Sequence, residues 1–299
     1  MTSPSRLSYY ESTARARIAG LLEAGSFHEW LPASERLTSP HLATLGLPAA
    51  FDDGVIIGRG LIARKTVFIA AQEGGFMGGA VGEVHGAKLV GLLERAILDR
   101  PAAVLLLLET GGVRLQEANA GLIAVSEVMR AILAARAAGI PVIVAIGGQY
   151  GCFGGMGIAA RCASTIIMSE EGRLALSGPE VIETACGVEE YDARDRALVW
   201  RTVGGKHRYL LGECDVIVPD SIVAFRQAIT ACIANGDDWS LATLDREHEL
   251  LSERVSRFGD CKDGRDIWHE LGLGDPDGLA MLDNDEFIAA AHGHRANEL

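Results

Sequence analysis

Two continuous apolar runs, AAVLLLLET at 102–110 and PVIVAIGG at 141–148, each lead into paired glycines and then into a stretch of helical periodicity. Strands that are apolar without alternation are buried on both faces, as in a parallel sheet covered by helices. The intervening helices are legible as well. Leu89, Val90, Leu93, Ala96 and Ile97 recur at helical spacing before Asp99-Arg100-Pro101, and Val125, Val128, Met129, Ile132 and Leu133 do so before Gly139 and Pro141. VIIGRGLIARKTVFIAA at 55–71 predicts two short strands about a turn, and TIIMSE, LALSG and DVIVP at 215–219 predict further strands. Strands alternating with helices specify an α/β fold with crossover connections.

The 36 glycines have no three-residue period; they cluster at the ends of the apolar runs, where tight turns and close backbone approach exclude a Cβ. A formal net charge of −13 disfavours nucleic acid and anionic membranes as partners. The longest apolar run, Ala102 to Leu108, falls far short of the roughly 20 residues that cross a bilayer. The opening MTSPSRLSYYESTARARI lacks an apolar signal region, so a cytoplasmic location is expected. Six cysteines, Cys152, Cys162, Cys186, Cys214, Cys232 and Cys261, include no CxxC pair; they read as reduced thiols, with no metal expected. Three regions follow: a helix and wrapping arm over 1–50, a core over 51–235, and a C-terminal extension over 236–299 that turns polar and low in periodicity.

Turns at Gly111-Gly112 and Gly154-Gly155 suit chemistry that needs backbone N–H donors aimed at one anionic oxygen. The plain alternative is that these glycines only close short connections. Neither turn has GxGxxG or GK[ST] spacing, so nucleotide binding is not indicated.

TGGVRLQEA at 110–118 resembles the (S/T)GGxRxQE segment of the acyl-CoA carboxyltransferase family, and GFMGGAVGEVHGAKLVGLLERA resembles its FMGG-x-x-G loop and following helix. GQYGCFGGMGIAARCASTIIMSEEGRLALSGPEVIE is similar to the Gly-rich oxyanion segment, strand and GPxVIE shared, more distantly, with the crotonases. The likeness covers roughly residues 55–220 and implies a crotonase-like (ClpP/crotonase) ββα superhelix. No cysteine precedes Cys152, unlike the zinc-ribbon carboxylase subunits, and Gly157 stands where crotonase hydratases carry a glutamate. Within the family the chain, including SYYESTARARIAGLLEAGSFHEW near its start, is most similar to beta subunits of biotin-independent malonate decarboxylases.

That resemblance implies a carboxy-lyase subunit acting on malonyl carried by an acyl-carrier protein through a pantetheine-type group, with no cofactor bound directly. It further implies a homologous gamma subunit, the acyl-carrier protein and an acyl transferase as partners. The expected oxyanion donors are Gly154 and Gly155, with Gly112 and Val113 from the other turn. Arg114, Gln116 and Glu117 either anchor substrate or pair locally, and Gln149 and Tyr150 either steer the carboxylate or make structural hydrogen bonds. Cys152 and His85 read best as buried structural residues. Two rival expectations remain: a carboxyltransferase beta subunit of a biotin-dependent acyl-CoA carboxylase, and a non-catalytic scaffold.

Overall fold

The computed structural model describes residues 7–44, 46, 53–236 and 239–297. Seven strands form one sheet in sequence order: β1 (His28–Trp30), β2 (Val55–Ile62), β3 (Lys65–Gln72), β4 (Ala103–Leu107), β5 (Val142–Ile146), β6 (Thr165–Ser169) and β7 (Val216–Val218). The β1–β2 and β2–β3 pairs are antiparallel, and β3 through β7 are parallel. The β2–β3 hairpin closes on Ala63 and Arg64, both at positive φ, 48° and 60°. Such a two-residue turn matches strand twist, here without the usual glycine.

Isolated bridge residues follow β3, β4, β5 and β6, and β3, β4 and β5 each then lead into a helix, which generates the ββα repeat. After β3, Val81 bridges Val113 and leads into α3 (Glu83–Asp99); α1 (Ala14–Leu21) and α2 (His41–Thr44) belong to the N-terminal region. After β4 come Thr110, which bridges Cys152, and α4 (Asn119–Ala137); after β5 come Cys152 and α5 (Gly155–Arg161). Cys152 also bridges Leu174 beyond β6, so the small bridge ladder runs across the exits of the main strands. The LALSG stretch, expected as a strand, contributes only this bridge.

Alternation in the buried strands feeds two cores. Val104, Leu106, Val142 and Val144 pack with Leu89, Leu93, Val128 and Ile132 of α3 and α4. Leu105, Leu107, Ile143 and Ala145 pack on the other side with Ile18 and Leu21 of α1 and with Phe225 and Ile229 of α9 (Ile222–Asn235). Between β6 and α9 lie α6 (Pro179–Cys186), α7 (Arg196–Val203) and α8 (Gly205–Leu210).

The C-terminal region is more ordered than its polarity suggests, with α10 (Leu241–Phe258), α11 (Gly264–Glu270), α12 (Pro276–Met281) and α13 (Asn284–Ala291). Capping boxes at Asp263 and Asp283 start two of these short helices. Phe258, Trp268, Leu279 and Phe287 join the α3–α4 core. Trp268 Nε1 donates to His207 Nδ1 at 3.0 Å, and Lys206 Nζ donates to the carbonyls of Ala280 and Leu282. The N-terminal region is equally part of the body, because β1 extends the sheet and α1 covers it. Of the expected helix and wrapping arm over 1–50, residues 1–6, 45 and 47–50 lie outside the described residues. Among the described residues no helix is long and apolar enough to cross a membrane.

Candidate active site

The exits of β4 and β5 bring the two glycine turns into contact. Gly112 and Gly154 both have positive φ, 115° and 64°, a region that L side chains rarely enter. A Cβ on Gly154 would lie 3.0 Å from the Gly112 Cα, so the close approach itself requires glycine.

Backbone accounting then separates the four expected donors. The Gly112 N–H donates to Thr110 Oγ1 at 3.0 Å, and the Gly154 N–H donates to the Leu176 carbonyl at 2.9 Å. Both are engaged within the fold. The Val81 N–H and carbonyl bond the Gly112 carbonyl and the Arg114 N–H, so Val113, whose groups alternate, turns its own N–H away from Val81. That N–H has no acceptor among the described residues, and a Cβ on Gly154 would stand 3.9 Å from its nitrogen. Gly155 is the first residue of α5, where an N–H has no intrahelical partner, and it too lacks an acceptor among the described residues. Val113 and Gly155 are therefore the two expected positions with N–H groups available to a ligand.

The other expected residues lie apart from this pair or behind it. Arg114 is buried: Nη1 pairs with Glu117 Oε1 at 2.9 Å, and Nη2 donates to the carbonyls of Asp53 and Ala80. Glu117, also buried, accepts the Glu83 N–H at 2.6 Å. This pair ties the β3 exit loop to the 3-10 turn Leu115–Glu117, leaving Gln116 exposed. Gln149 and Tyr150 are exposed at the β5 exit; the Gln149 carbonyl accepts from Arg173, and the Tyr150 ring crowds Gly74.

Cys152 is wholly buried, and burial pushes its thiol well above the ordinary range. His85 is buried with Nε2 3.1 Å from Gln72 Nε2, and burial, with the charges of Arg114 and Lys88, lowers its pKa to about 3. Both are placed in the interior. Among the described residues no group of three His, Cys, Asp or Glu side chains is arranged to hold a metal.

Sequence reading passed over the residues that hold the turns: Thr110, Leu176, Gln72, Glu109 and Arg17. The available signal was Glu109 itself, a carboxylate closing an apolar strand. Around the turns the surface is apolar and open. Leu115 is 83% exposed, and Leu122, Ile123, Ile158 and Leu176 are exposed as well. Two contacts tie these segments to the turns: a Cβ on Gly121, next to Leu122, would stand 2.9 Å from Val113 Cγ1, and the Leu176 carbonyl accepts the Gly154 amide.

The carboxyl transferase domain family model matches residues 9–208. The malonyl-S-ACP:biotin-protein carboxyltransferase MADC of Malonomonas rubra is 42% identical over 306 aligned residues, spanning 95% of both proteins. A chain from the structure of a Pseudomonas malonate decarboxylase hetero-tetramer in complex with malonate matches with a TM-score of 0.78 and 40% identity, covering 88% of this chain and 97% of that one. A transcarboxylase 12S chain matches more distantly, with a TM-score of 0.61 and 27% identity over 74% of this chain and 41% of that one. With two adjacent glycine turns on a ββα coil and a family match over two thirds of its length, the chain belongs to the carboxyl transferase domain family.

Proposed function

We propose that the chain is the beta-type subunit of a biotin-independent decarboxylase of malonyl thioesters carried on an acyl-carrier protein. The observation that carries this reading is the pair of unengaged amides, Val113 and Gly155, on apposed turns. In the reaction the bond between the carboxylate carbon and the methylene breaks, CO2 leaves, and the electron pair enters the thioester as an enolate. Charge moves from the carboxylate to the carbonyl oxygen. Catalysis requires that the second position be bound better than the first. Two N–H donors at that oxygen meet the requirement, and loss of one such donor typically costs ~3 kcal/mol of barrier.

The enolate carbon then takes a proton. Residues 147–157 contain no His, Lys, Asp or Glu, so the acid is water, the exposed Tyr150 hydroxyl or a group from elsewhere, including a partner. The exposed apolar rim of Leu115, Leu122, Ile123 and Leu176 suits a homologous subunit closing over the site, and the Pseudomonas relatives are hetero-oligomers. An acyl-carrier protein bearing a pantetheine-type arm and an acyl transferase complete the proposed assembly, with no biotin required.

A second reading, carboxyl transfer from malonyl thioester to biotin, is favoured by the identity to the Malonomonas rubra protein. Both readings share the enolate and differ in the fate of the carboxyl group. The experiment is CO2 release from malonyl-loaded carrier protein by the chain with its homologous partner, with and without avidin. Release that needs both subunits and ignores avidin is expected; abolition by avidin would replace this reading with the biotin-dependent one.

A further inference from the structure

We propose that the buried Arg17–Glu109 ion pair is a positioning device: Arg17 of α1 holds the Glu109 carboxylate beneath the β5 exit and thereby fixes the backbone from Gly147 to Gly155. Both residues are almost fully buried, at 1% and 4% exposure, and Arg17 Nη1 bonds Glu109 Oε2 directly. Arg17 is itself oriented by contacts with Tyr9 and Tyr10, its Nη2 donating to the Tyr10 carbonyl at 3.5 Å. Its Nε donates to the Tyr9 carbonyl at 2.9 Å, and its guanidinium lies 4.6 Å from the centre of the Tyr9 ring, which stacks on Phe225 of α9.

Glu109 links three strand exits. Its N–H donates to Gln72 Oε1 at the end of β3, at 2.9 Å; its own residue ends the β4 run; and its Oε1 accepts the Tyr150 N–H beyond β5, at 3.2 Å. The next residue continues the grip, because the Thr110 N–H donates to the Gly151 carbonyl and the Thr110 carbonyl accepts the Phe153 N–H. Space for the carboxylate is made by glycine: a Cβ on Gly148 would collide with the Glu109 carboxylate, and one on Gly74 would stand 2.7 Å from Glu109 Cγ. A buried ion pair is a poor source of stability, since desolvation offsets the Coulomb attraction. What this one supplies is the geometry of the turn that ends in the Gly155 amide.

The test compares two paired replacements in the complex assembled with the homologous subunit. Arg17→Met with Glu109→Leu removes both charges and the acceptor for the Tyr150 amide. Arg17→Met with Glu109→Gln removes both charges and keeps an acceptor oxygen. Hydrogen exchange of residues 148–155 should quicken about tenfold or more in the Leu pair, with α3 and α4 unaffected, and return only part of the way in the Gln pair, the shortfall measuring what Arg17 contributes beyond the acceptor for the Tyr150 amide. The kinetic arm rests on the decarboxylase reading: kcat should fall about tenfold with KM unchanged in the Leu pair, and recover only in part in the Gln pair, which lacks Arg17. Should the Leu pair fail to fold, Glu109→Asp, which withdraws the carboxylate by one methylene, is measured in its place with the same expectation. Native exchange and native kcat in the Leu pair, or in Glu109→Asp measured in its place, would overturn the proposal, and so would complete recovery of both in the Gln pair. A quickened exchange in a complex that does not act on malonyl thioesters would sustain the positioning role while refuting the decarboxylase reading.

Discussion

At the residue scale, the distinction between a glycine that donates and a glycine that makes room decides the site. Gly112 and Gly154 permit two backbones to meet, and their amides are spent on Thr110 and Leu176; Val113 and Gly155 keep theirs. Thr110 is thus a support whose hydroxyl is replaceable in shape but not in hydrogen bonding. Thr110→Val leaves the buried Gly112 amide without an acceptor, which costs about 1–3 kcal/mol. Urea unfolding should show a lower midpoint at unchanged slope, and a native midpoint would mean that the hydroxyl contributes nothing to the turn.

At the element scale, the Arg114–Glu117 pair joins the β3 exit loop to the 3-10 turn that precedes α4. Removing one partner strands the other as a buried charge, so Arg114→Ala should destabilise by about 3–5 kcal/mol. Carrier-protein affinity of the folded complex should be nearly unchanged. A selective loss of affinity at unaltered melting temperature would instead place Arg114 on the carrier. The buried strands, the long helices and the glycine turns were legible because periodicity and turn chemistry are local properties. What was not legible depends on distant contacts. Arg17 and Glu109 are 92 residues apart, and nothing in either neighbourhood announces the other. Likewise, which of four adjacent amides is already engaged depends on the Leu176 carbonyl, supplied by a stretch beyond β6 that reads as a strand. The C-terminal helices were obscured by length and polarity: α11, α12 and α13 are short, and each buries only one or two side chains.

At the scale of the whole molecule, buried histidines, one of them His207 hydrogen-bonded to Trp268 of the C-terminal region, give stability a defined pH dependence. His85 and His207 are buried and neutral, with burial lowering the pKa of each to about 3 from a model-peptide value near 6.5. Their contribution is intact above about pH 6.5 and is lost as the pH falls toward 3, because only the unfolded chain takes up these protons. Unfolding free energy should therefore decline by about 1.4 kcal/mol per pH unit for each histidine between those limits. His207→Gln should remove one proton from that slope in denaturant titrations at pH 7, 6 and 5. In the function proposed, the site is preorganised on two strand exits and closed by a partner, and its central element is the Gly155 amide. Gly155 begins α5, a position at which proline is tolerated; an added Cβ would be tight against the Val125 side chain, at 2.8 Å from Cγ1, and in ordinary contact with Val113 Cγ2 at 3.8 Å. The most direct measurement is the ratio of kcat for Gly155→Ala to that for Gly155→Pro, both in a Val125→Ala background, in intact complexes turning over malonyl-loaded carrier protein. Alanine keeps the N–H and proline removes it. A ratio of about 100 or more is predicted, and equal rates in the two complexes would contradict the assignment of Gly155 as an oxyanion donor.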